Sequence, residues 1–360
     1  MRALFYHMTD EWPGSSRAFL SAARGLAARG HEVTFACVSD SASEEHVRRE
    51  GIDMITLPTG AVAGDAWRLR DVLKERTVDT VFLHTAREQL VVGSAMRMGS
   101  RGTVVRRVPA GAGFDRDGTL ASRFPASALL FNSRDELTAA EKNRGSAPAV
   151  VAPLGVDLAR YDDGDAIAPD AVGAVRGGRL VVCAYEPGAR GRLLTAMRTM
   201  AILSPRHPEL HLAVVGPGSQ DEELKLHAAA IGITPVVSFL GDRQDRLAIY
   251  AAADVGWVAA RHDAAAFACL DFMALKVPVI AERDPLSAQY VADLITGMLI
   301  TARDASETAA TVAAFLAKDE QRIAMGNAAR ARVAREFGEA AMVDGFEQAA
   351  GARAGALAAR

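Results

Sequence analysis

The sequence predicts an α/β protein built from two doubly wound parallel sheets. Short, β-branched apolar runs alternate with longer amphipathic helical patterns along most of the chain. Those runs lack the period-two alternation of a half-exposed strand, so both faces of each are covered and the sheets are parallel. The alternation lapses once, over residues 158–178, and then begins again.

Taken in order, ALFYHM (3–8) reads as the first strand and SRAFLSAARGLAARG (16–30) as an amphipathic helix with Gly30 as its C-cap. Strands at HEVTFACV (31–38), DMITLP (53–58) and TVFLH (80–84) alternate with helices over 43–50 and 66–76. GTVVRRVP and ASALLFNS add two strands, and VVAPLGVDLARYD (150–162) closes the first half. Acids, glycine and proline without periodicity make 158–178 a linker. The second half reads as strand RLVVCAYE, helix RLLTAMRTMAIL, strand HLAVVGPG, helix DEELKLHAAAIG and strand VVSFLG. Helix RLAIYAAA, strand VGWVAA, a helix opening at AAAFACLDF and strands VPVIAE and MLITA follow, before a helical tail over 306–351. The expected domains are 1–165, 175–337 and a tail helix, 338–360, that packs back on the first. Two such halves imply a cleft in which a ligand binds.

The 360 residues suffice for about two domains. With 41 Lys and Arg against 44 Asp and Glu the formal charge is −3, which excludes a dedicated nucleic-acid binder. A 50% hydrophobic share excludes a disordered chain. Cys37, Cys183 and Cys269 form neither a disulfide framework nor a CxxC metal site, which fits a reducing cytoplasm. Asp10 and Glu11 interrupt any signal-peptide core, and no run approaches the roughly 18 apolar residues of a membrane helix. The expected location is cytoplasmic, with the inner membrane face open as a docking place. The first strand–helix turn offers only Gly14, GPGS (216–219) lacks the third glycine of GxGxxG, and no GxxxxGK[ST] occurs. Nicotinamide and P-loop chemistry are thereby disfavoured.

A set of short motifs in fixed order is more specific. Gly216 and Gly218 end a strand, Gly232 makes a turn, and Phe239-Leu240-Gly241, Tyr250, Ala253-Asp254, Met273-Ala274 and Pro278-Val279 follow. The first half carries Gly14-Ser15, Gly30-His31-Glu32-Val33 and Pro153-Leu154-Gly155-Val156-Asp157. In order and spacing, over nearly the whole chain, these resemble the retaining nucleotide-sugar glycosyltransferases of family four, of the GT-B type with two Rossmann-like domains.

Residue chemistry bears on the donor side independently. A helix N-terminus offers amides and a positive dipole end to a diphosphate, here expected near Ala266, Phe267 and Ala268. Asp263 and Asp271, eight apart, lie near one helix face. Read alone, they are better explained as an N-cap at Asp263 and a solvated or paired helix acid at Asp271. The resemblance implies that Asp263 lies by the donor sugar, that Asp271 takes the ribose hydroxyls, and that Arg190 and Gly191 meet the diphosphate. It also places Gly216, Gly241 and Arg243 around the nucleotide, and Gly14 and Ser15 in the acceptor-domain loop facing the diphosphate. His84 ends a strand at the expected cleft edge, as an acceptor orienter or an ordinary strand-end histidine.

The implied reaction moves a sugar from a nucleoside diphosphate-sugar to a hydroxyl acceptor with retention. It needs no metal or other cofactor, and uridine diphosphate is the default nucleotide as the commonest. Several positions depart from the family pattern, among them Val277 for the glycine before Pro278-Val279 and Arg106, Arg107 and Pro109 where the family has a histidine. Asp replaces Glu at both acid positions, Tyr185 stands where the diphosphate clamp has arginine, Arg190 stands where it has lysine, and Glu186 adds an acid. Arg192 and Arg261 are candidate replacements for the lost cation. These changes raise an alternative: an inactive homologue that binds a nucleotide or a partner protein. Arg97, Arg101, Arg106 and Arg107 read either as a surface for anionic lipid or a phosphorylated acceptor, or as a solvated face. His207, His211 and His227 read as surface or capping residues, and the DGD at 163–165 as linker rather than metal ligand. The sequence does not give the oligomeric state.

Overall fold

The computed structural model describes residues 1–114, 123–162, 165–301 and 305–358. Asp163 and Gly164 of the DGD stretch and the last two residues of the tail lie outside the described residues. The contacts divide the chain into two compact units, Met1–Gly155 with Glu339–Arg360, and Val156–Gly338.

The first unit is built on β1 (Arg2–Tyr6), β2 (Glu32–Val38), β3 (Asp53–Leu57), β4 (Thr80–Leu83), β5 (Thr103–Arg107), β6 (Ala128–Phe131) and β7 (Ala149–Val151). They form one sheet in the order β3-β2-β1-β4-β5-β6-β7, with every pair parallel. Helices α1 (Gly14–Ala28), α2 (Ala42–Arg49), α3 (Val62–Glu75), α4 (Ala86–Arg97) and α5 (Arg134–Ala140) connect the strands. Every residue of β4 and β6 is buried, as the unbroken apolar runs require. The helix α5 had a signal that the periodicity did not bring out: Ser133 accepts from the Glu136 amide at 3.1 Å, in an S-x-x-E start.

The second unit carries β8 (Arg179–Tyr185), β9 (Leu210–Val215), β10 (Val237–Gly241), β11 (Val255–Ala259), β12 (Val279–Glu282) and β13 (Gly297–Ile300). Their order is β10-β9-β8-β11-β12-β13, again all parallel. Its helices are α6 (Arg190–Leu203), α7 (Glu222–Ala230), α8 (Arg246–Ala251), α9 (His262–Ala274), α10 (Pro285–Tyr290), α11 (Ala305–Leu316) and α12 (Asp319–Glu336). The final helix, α13 (Glu339–Ala358), belongs to the first unit. Its Phe346 is fully buried among Phe5, Phe19 and Phe82, and α13 lies against α1 and the β5–β7 edge of the sheet.

The segment read as an irregular linker is seated on the second unit. The Val156 amide donates to the Phe337 carbonyl at 3.0 Å, the Ile167 amide to Ala248 at 3.2 Å, and short 3-10 turns occupy Leu158–Tyr161 and Pro169–Val172. Likewise His211, read as a surface residue, is buried in β9 with its ring 2.9 Å from the Ser238 hydroxyl.

In each sheet the strand order turns back on itself once. In the first unit β1 lies between β2 and β4, and in the second β8 lies between β9 and β11. The loops leaving β1 and β4, and those leaving β8 and β11, therefore diverge at the carboxyl edge and leave a crevice there.

Candidate functional site

The crevice of the second unit collects most of the donor-side residues. Strand β8 runs into Glu186, the short turn Pro187–Ala189 and then Arg190, the first residue of α6. Strand β11 runs through Ala260 and Arg261 into α9. The two loops are tied: the Glu186 amide donates to the Ala259 carbonyl at 3.1 Å, and Arg192 donates to the Ala260 carbonyl at 2.9 Å. Asp263 sits in the first turn of α9 and is 1% exposed.

Helix α9 starts earlier than expected, and this moves the amides. The Ala265 amide already donates to the Arg261 carbonyl at 3.1 Å, so Ala266, Phe267 and Ala268 lie in the second turn with their amides directed at the preceding one. The amides lacking a partner inside the helix are those of residues 261–264. His262, the first helical residue, adopts φ +51°, a left-handed conformation costly for any residue but glycine. The Glu186 carboxylate lies 3.5 Å from the Arg261 amide, an internal anion at the mouth of the helix. Burial pushes its carboxyl above the ordinary value, and Asp263 adds to that rise against Arg261 and His262.

A carboxyl whose pKa is raised by folding costs stability once it ionises, and the cost disappears as pH falls below its unfolded value near 4.5. Glu186→Gln is therefore expected to raise the melting temperature at pH 7.5 and to match the parent near pH 4. Paired melts at the two pH values check this, and a variant less stable at pH 7.5 would overturn it.

The cations expected at the diphosphate are held by acids. Arg190 pairs with Glu223 at 2.8 Å and stands 3.7 Å from Asp221, both at the start of α7. Besides the Ala260 carbonyl, Arg192 binds Glu282 at 2.9 Å and Asp284 at 2.5 Å, which removes it as a replacement clamp. Tyr185 is buried, and its phenol is raised by that burial. Gly216 is there for close approach: a Cβ would stand 2.0 Å from the Tyr185 carbonyl oxygen, and its φ is +138°. Its amide donates to the Gly241 carbonyl at 2.8 Å, and the Gly241 amide to the Ser219 hydroxyl at 2.9 Å, joining the ends of β9 and β10. Gly191 has open space where a Cβ would stand. Arg243 is exposed and bonded to Asp245 at 2.8 and 2.7 Å.

Asp271 is 2% exposed and accepts a 2.5 Å hydrogen bond from the Tyr161 hydroxyl. The sequence reading missed Tyr161, because 110 residues separate the partners.

In the first unit, Gly14 and Ser15 open α1 at the β1–β4 crevice. His84 lies beneath them, 4% exposed, with its ring stacked on Phe19 at 3.8 Å. Its Nε2 is 3.2 Å from the Ser15 carbonyl and its Nδ1 3.3 Å from that of Arg107. Burial, then His7 and Arg107, hold its pKa well below the ordinary 6.5, so the ring is neutral. It supports the Ser15 turn from within instead of facing an acceptor. Glu88 organises the same edge, accepting from the amides of Met8, His84 and Thr85 at 2.9, 2.9 and 2.8 Å. His7 adds a 2.7 Å contact to the Ser16 hydroxyl.

The basic cluster is divided: Arg97 and Arg101 are exposed, Arg97 over Phe124, while Arg106 is half-buried over Phe114 and donates to the His84 carbonyl at 3.1 Å, and Arg107 is 2% exposed. Among the described residues no group of three His, Cys, Asp or Glu is placed to hold a metal ion. No helix among them is long and apolar enough to cross a membrane. All three cysteines are buried, and burial pushes the Cys37 thiol up to about 11 and that of Cys269 to about 12.

Comparison with known proteins bears on both units. Residues 191–332 match the family described as Glycosyl transferases group 1, and residues 13–155 match the Glycosyl transferase 4-like domain. A D-inositol 3-phosphate glycosyltransferase of Corynebacterium jeikeium (strain K411) is 31% identical over 148 residues, 39% of this chain and 35% of that protein. The chain spans about half the length, or less, of the curated inositol-phosphate relatives it matches. A GDP-mannose-dependent alpha-(1-6)-phosphatidylinositol monomannoside mannosyltransferase of Mycolicibacterium smegmatis is 27% identical over 354 residues, 90% of this chain and 92% of that one. Among solved structures, a glycosyltransferase from Rickettsia africae superposes with a TM-score of 0.79 at 14% identity, covering 97% of this chain and 98% of that one. Anabaena Alr3699/HepE, in complex with UDP and glucose, gives 0.78 at 19% over 97% and 98%.

Proposed function

Because the chain belongs to the family-four glycosyltransferases of GT-B fold, we propose that it transfers a sugar from a nucleoside diphosphate-sugar to a hydroxyl acceptor with retained anomeric configuration. The observation that carries this is the β8–β11 crevice of the second unit, the strand-order reversal after which α6 opens at Arg190 and α9 opens with the buried Asp263 in its first turn. In this reading the bond from the anomeric carbon to the diphosphate breaks while the acceptor oxygen attacks from the same face. The acceptor proton passes to the departing diphosphate. The protein contributes positioning and electrostatic stabilisation. Arg190 and the amides of residues 262–264 meet the diphosphate charge in place of a metal ion, and Asp263 accepts donor-sugar hydroxyls. UDP is the first nucleotide to test, since relatives of this fold hold UDP and GDP-mannose is named for another. The acceptor class is a hydroxyl of a polyol or lipid-linked glycan. The proposed location is the cytoplasm and its membrane face.

The test is a thermal melt with UDP, GDP, ADP and dTDP, followed by product analysis with the matching sugar nucleotide. A ligand at 100 times its Kd stabilises by about 2.7 kcal/mol, a shift of about 5–10 °C for a unit of this size. Asp263→Ala is expected to lower kcat/KM about 10- to 50-fold through the lost charged hydrogen bond to the sugar. Retention of full turnover in that variant would remove Asp263 from the mechanism.

The second reading, a nucleotide-binding homologue without transferase activity, is favoured by one observation. Arg190, Asp271 and the mouth of α9 already have partners within the protein, namely Glu223, Tyr161 and Glu186. A melt that responds to a nucleotide, with no product from any sugar nucleotide, would select it.

A further inference from the structure

The first unit holds a cavity of about 400 Å³, a volume in the range of small-molecule sites. Right-handed crossovers set α4 and α5 on the sheet face opposite α1 and α13. The cavity lies on that face, between Gln89 of α4 and the loop that follows α5. Its apolar lining includes the buried Leu129 of β6, Pro125 and Phe114. Two of its polar side chains are engaged with the protein: Arg106 donates to Gln89 Oε1 at 3.3 Å, and Gln89 donates to the Phe124 carbonyl at 2.8 Å.

Arg144, on the loop side, is compensated far less. Its guanidinium makes one hydrogen bond, from Nη1 to the Ala147 carbonyl at 2.7 Å, and no ion pair among the described residues. Its Nε is shut away from solvent without an acceptor. A half-buried charge so placed costs free energy until an anion bonds the guanidinium. Asn143 and Ser146, exposed on the same loop, add an amide and a hydroxyl whose side chains have no protein partner among the described residues. The loop is held at both ends. The Asn143 and Arg144 amides both donate to the Ala140 carbonyl at 2.9 Å, and the Leu129 amide donates to the Pro148 carbonyl at 2.8 Å.

We propose that this cavity is a second small-molecule site, for a phosphate monoester with a compact body of monosaccharide size. A guanidinium fork, an amide and a hydroxyl on one loop match the three terminal oxygens of a phosphate better than the two of a carboxylate. Leu129, Pro125 and Phe114 meet the carbon skeleton. The site belongs to the first unit and does not depend on the nucleotide-sugar reading of the second.

The test is isothermal titration of the full chain with glucose 6-phosphate, glycerol 3-phosphate and inorganic phosphate, with glucose as the uncharged control. Affinity should fall in that order as less of the cavity is filled, and glucose should not bind. Arg144→Ala should weaken glucose 6-phosphate about tenfold or more, the loss of a charged hydrogen bond. Asn143→Ala, which removes an exposed side chain that the fold does not use, should weaken it about threefold or more. Arg190→Ala, in the donor crevice, should leave it unchanged. Binding lost in Arg190→Ala and kept in Arg144→Ala would put the phosphate in the donor crevice and overturn the proposal. Glucose binding as tightly as its phosphate, inorganic phosphate binding more tightly than both monoesters, or no binding by any of the three phosphates would each overturn it as well.

Discussion

Phe346→Ala is expected to destabilise the first unit by about 3–5 kcal/mol, the range for emptying a fully buried phenylalanine site. The ring has no exposed surface and meets Phe82, Phe5 and Phe19 at centroid distances of 5.3, 6.0 and 6.2 Å. Collapse into the space is restricted, because Phe5 also stacks on Phe82 and meets Phe19 edge-on, across β1, β4 and α1. The helix that carries Phe346 sits close against the sheet. A Cβ on its Gly345 would stand 2.2 Å from that of Ala152, so the helix cannot slide to fill the gap without a clash. Urea unfolding followed by circular dichroism should show an early transition for the first unit and an unshifted one for the second. A loss below about 1 kcal/mol would mean that α13 is not part of this core.

Asp254→Ala should cost about 3 kcal/mol in the second unit, the lower end of the range for removing one partner of a buried ion pair. The Asp254 carboxylate accepts from Arg179 at 3.0 Å, from Arg322 at 2.9 Å and from the Leu180 amide at 2.9 Å. The Arg322 side chain is 6% exposed and would keep Asp319 at 2.6 Å and the Leu316 carbonyl at 2.7 Å. The loss is therefore partly compensated at the arginine and uncompensated at the amide. Adding Arg322→Met to Asp254→Ala should restore part of the stability, because it removes the charge left behind. Denaturant titration of the three variants checks the sign of the coupling, and a double variant weaker than the single one would sink the account. The result would also explain why an aspartate stands before β11 within the Ala253-Asp254 motif: it ties the starts of β8 and β11 in the middle of the sheet and takes no part in the proposed chemistry.

The strands and long helices were legible because burial on both faces leaves unbroken apolar runs, and helical faces repeat every three to four residues. The acid pair in α9 was legible too, as a spacing. What surrounds those acids was not. Tyr161 reaches Asp271 across 110 residues, and Arg190 reaches Glu223 through a loop whose course no local pattern encodes. The start of α9 was misplaced because Arg261 opens it with no side-chain cap and His262 enters it at φ +51°, neither of which has a sequence signature. Arg107 was read with its basic neighbours, although as the last residue of β5 it points into the interior and is 2% exposed. In a strand covered on both sides, alternation does not reveal which residue faces inward.

The assignment of α13 to the first unit has a consequence for the order in which the protein is made. Residues 156–338 are contiguous, so every strand of the second sheet has left the ribosome before α13 is synthesised. The first unit begins earlier but keeps the Phe5, Phe19 and Phe82 cluster open until residues 339–346 emerge. The strands of both sheets are therefore made before the helix that covers the Phe5, Phe19 and Phe82 cluster, and the first unit keeps an aromatic face uncovered until α13 is made. That waiting interval is when a chaperone would have most to bind.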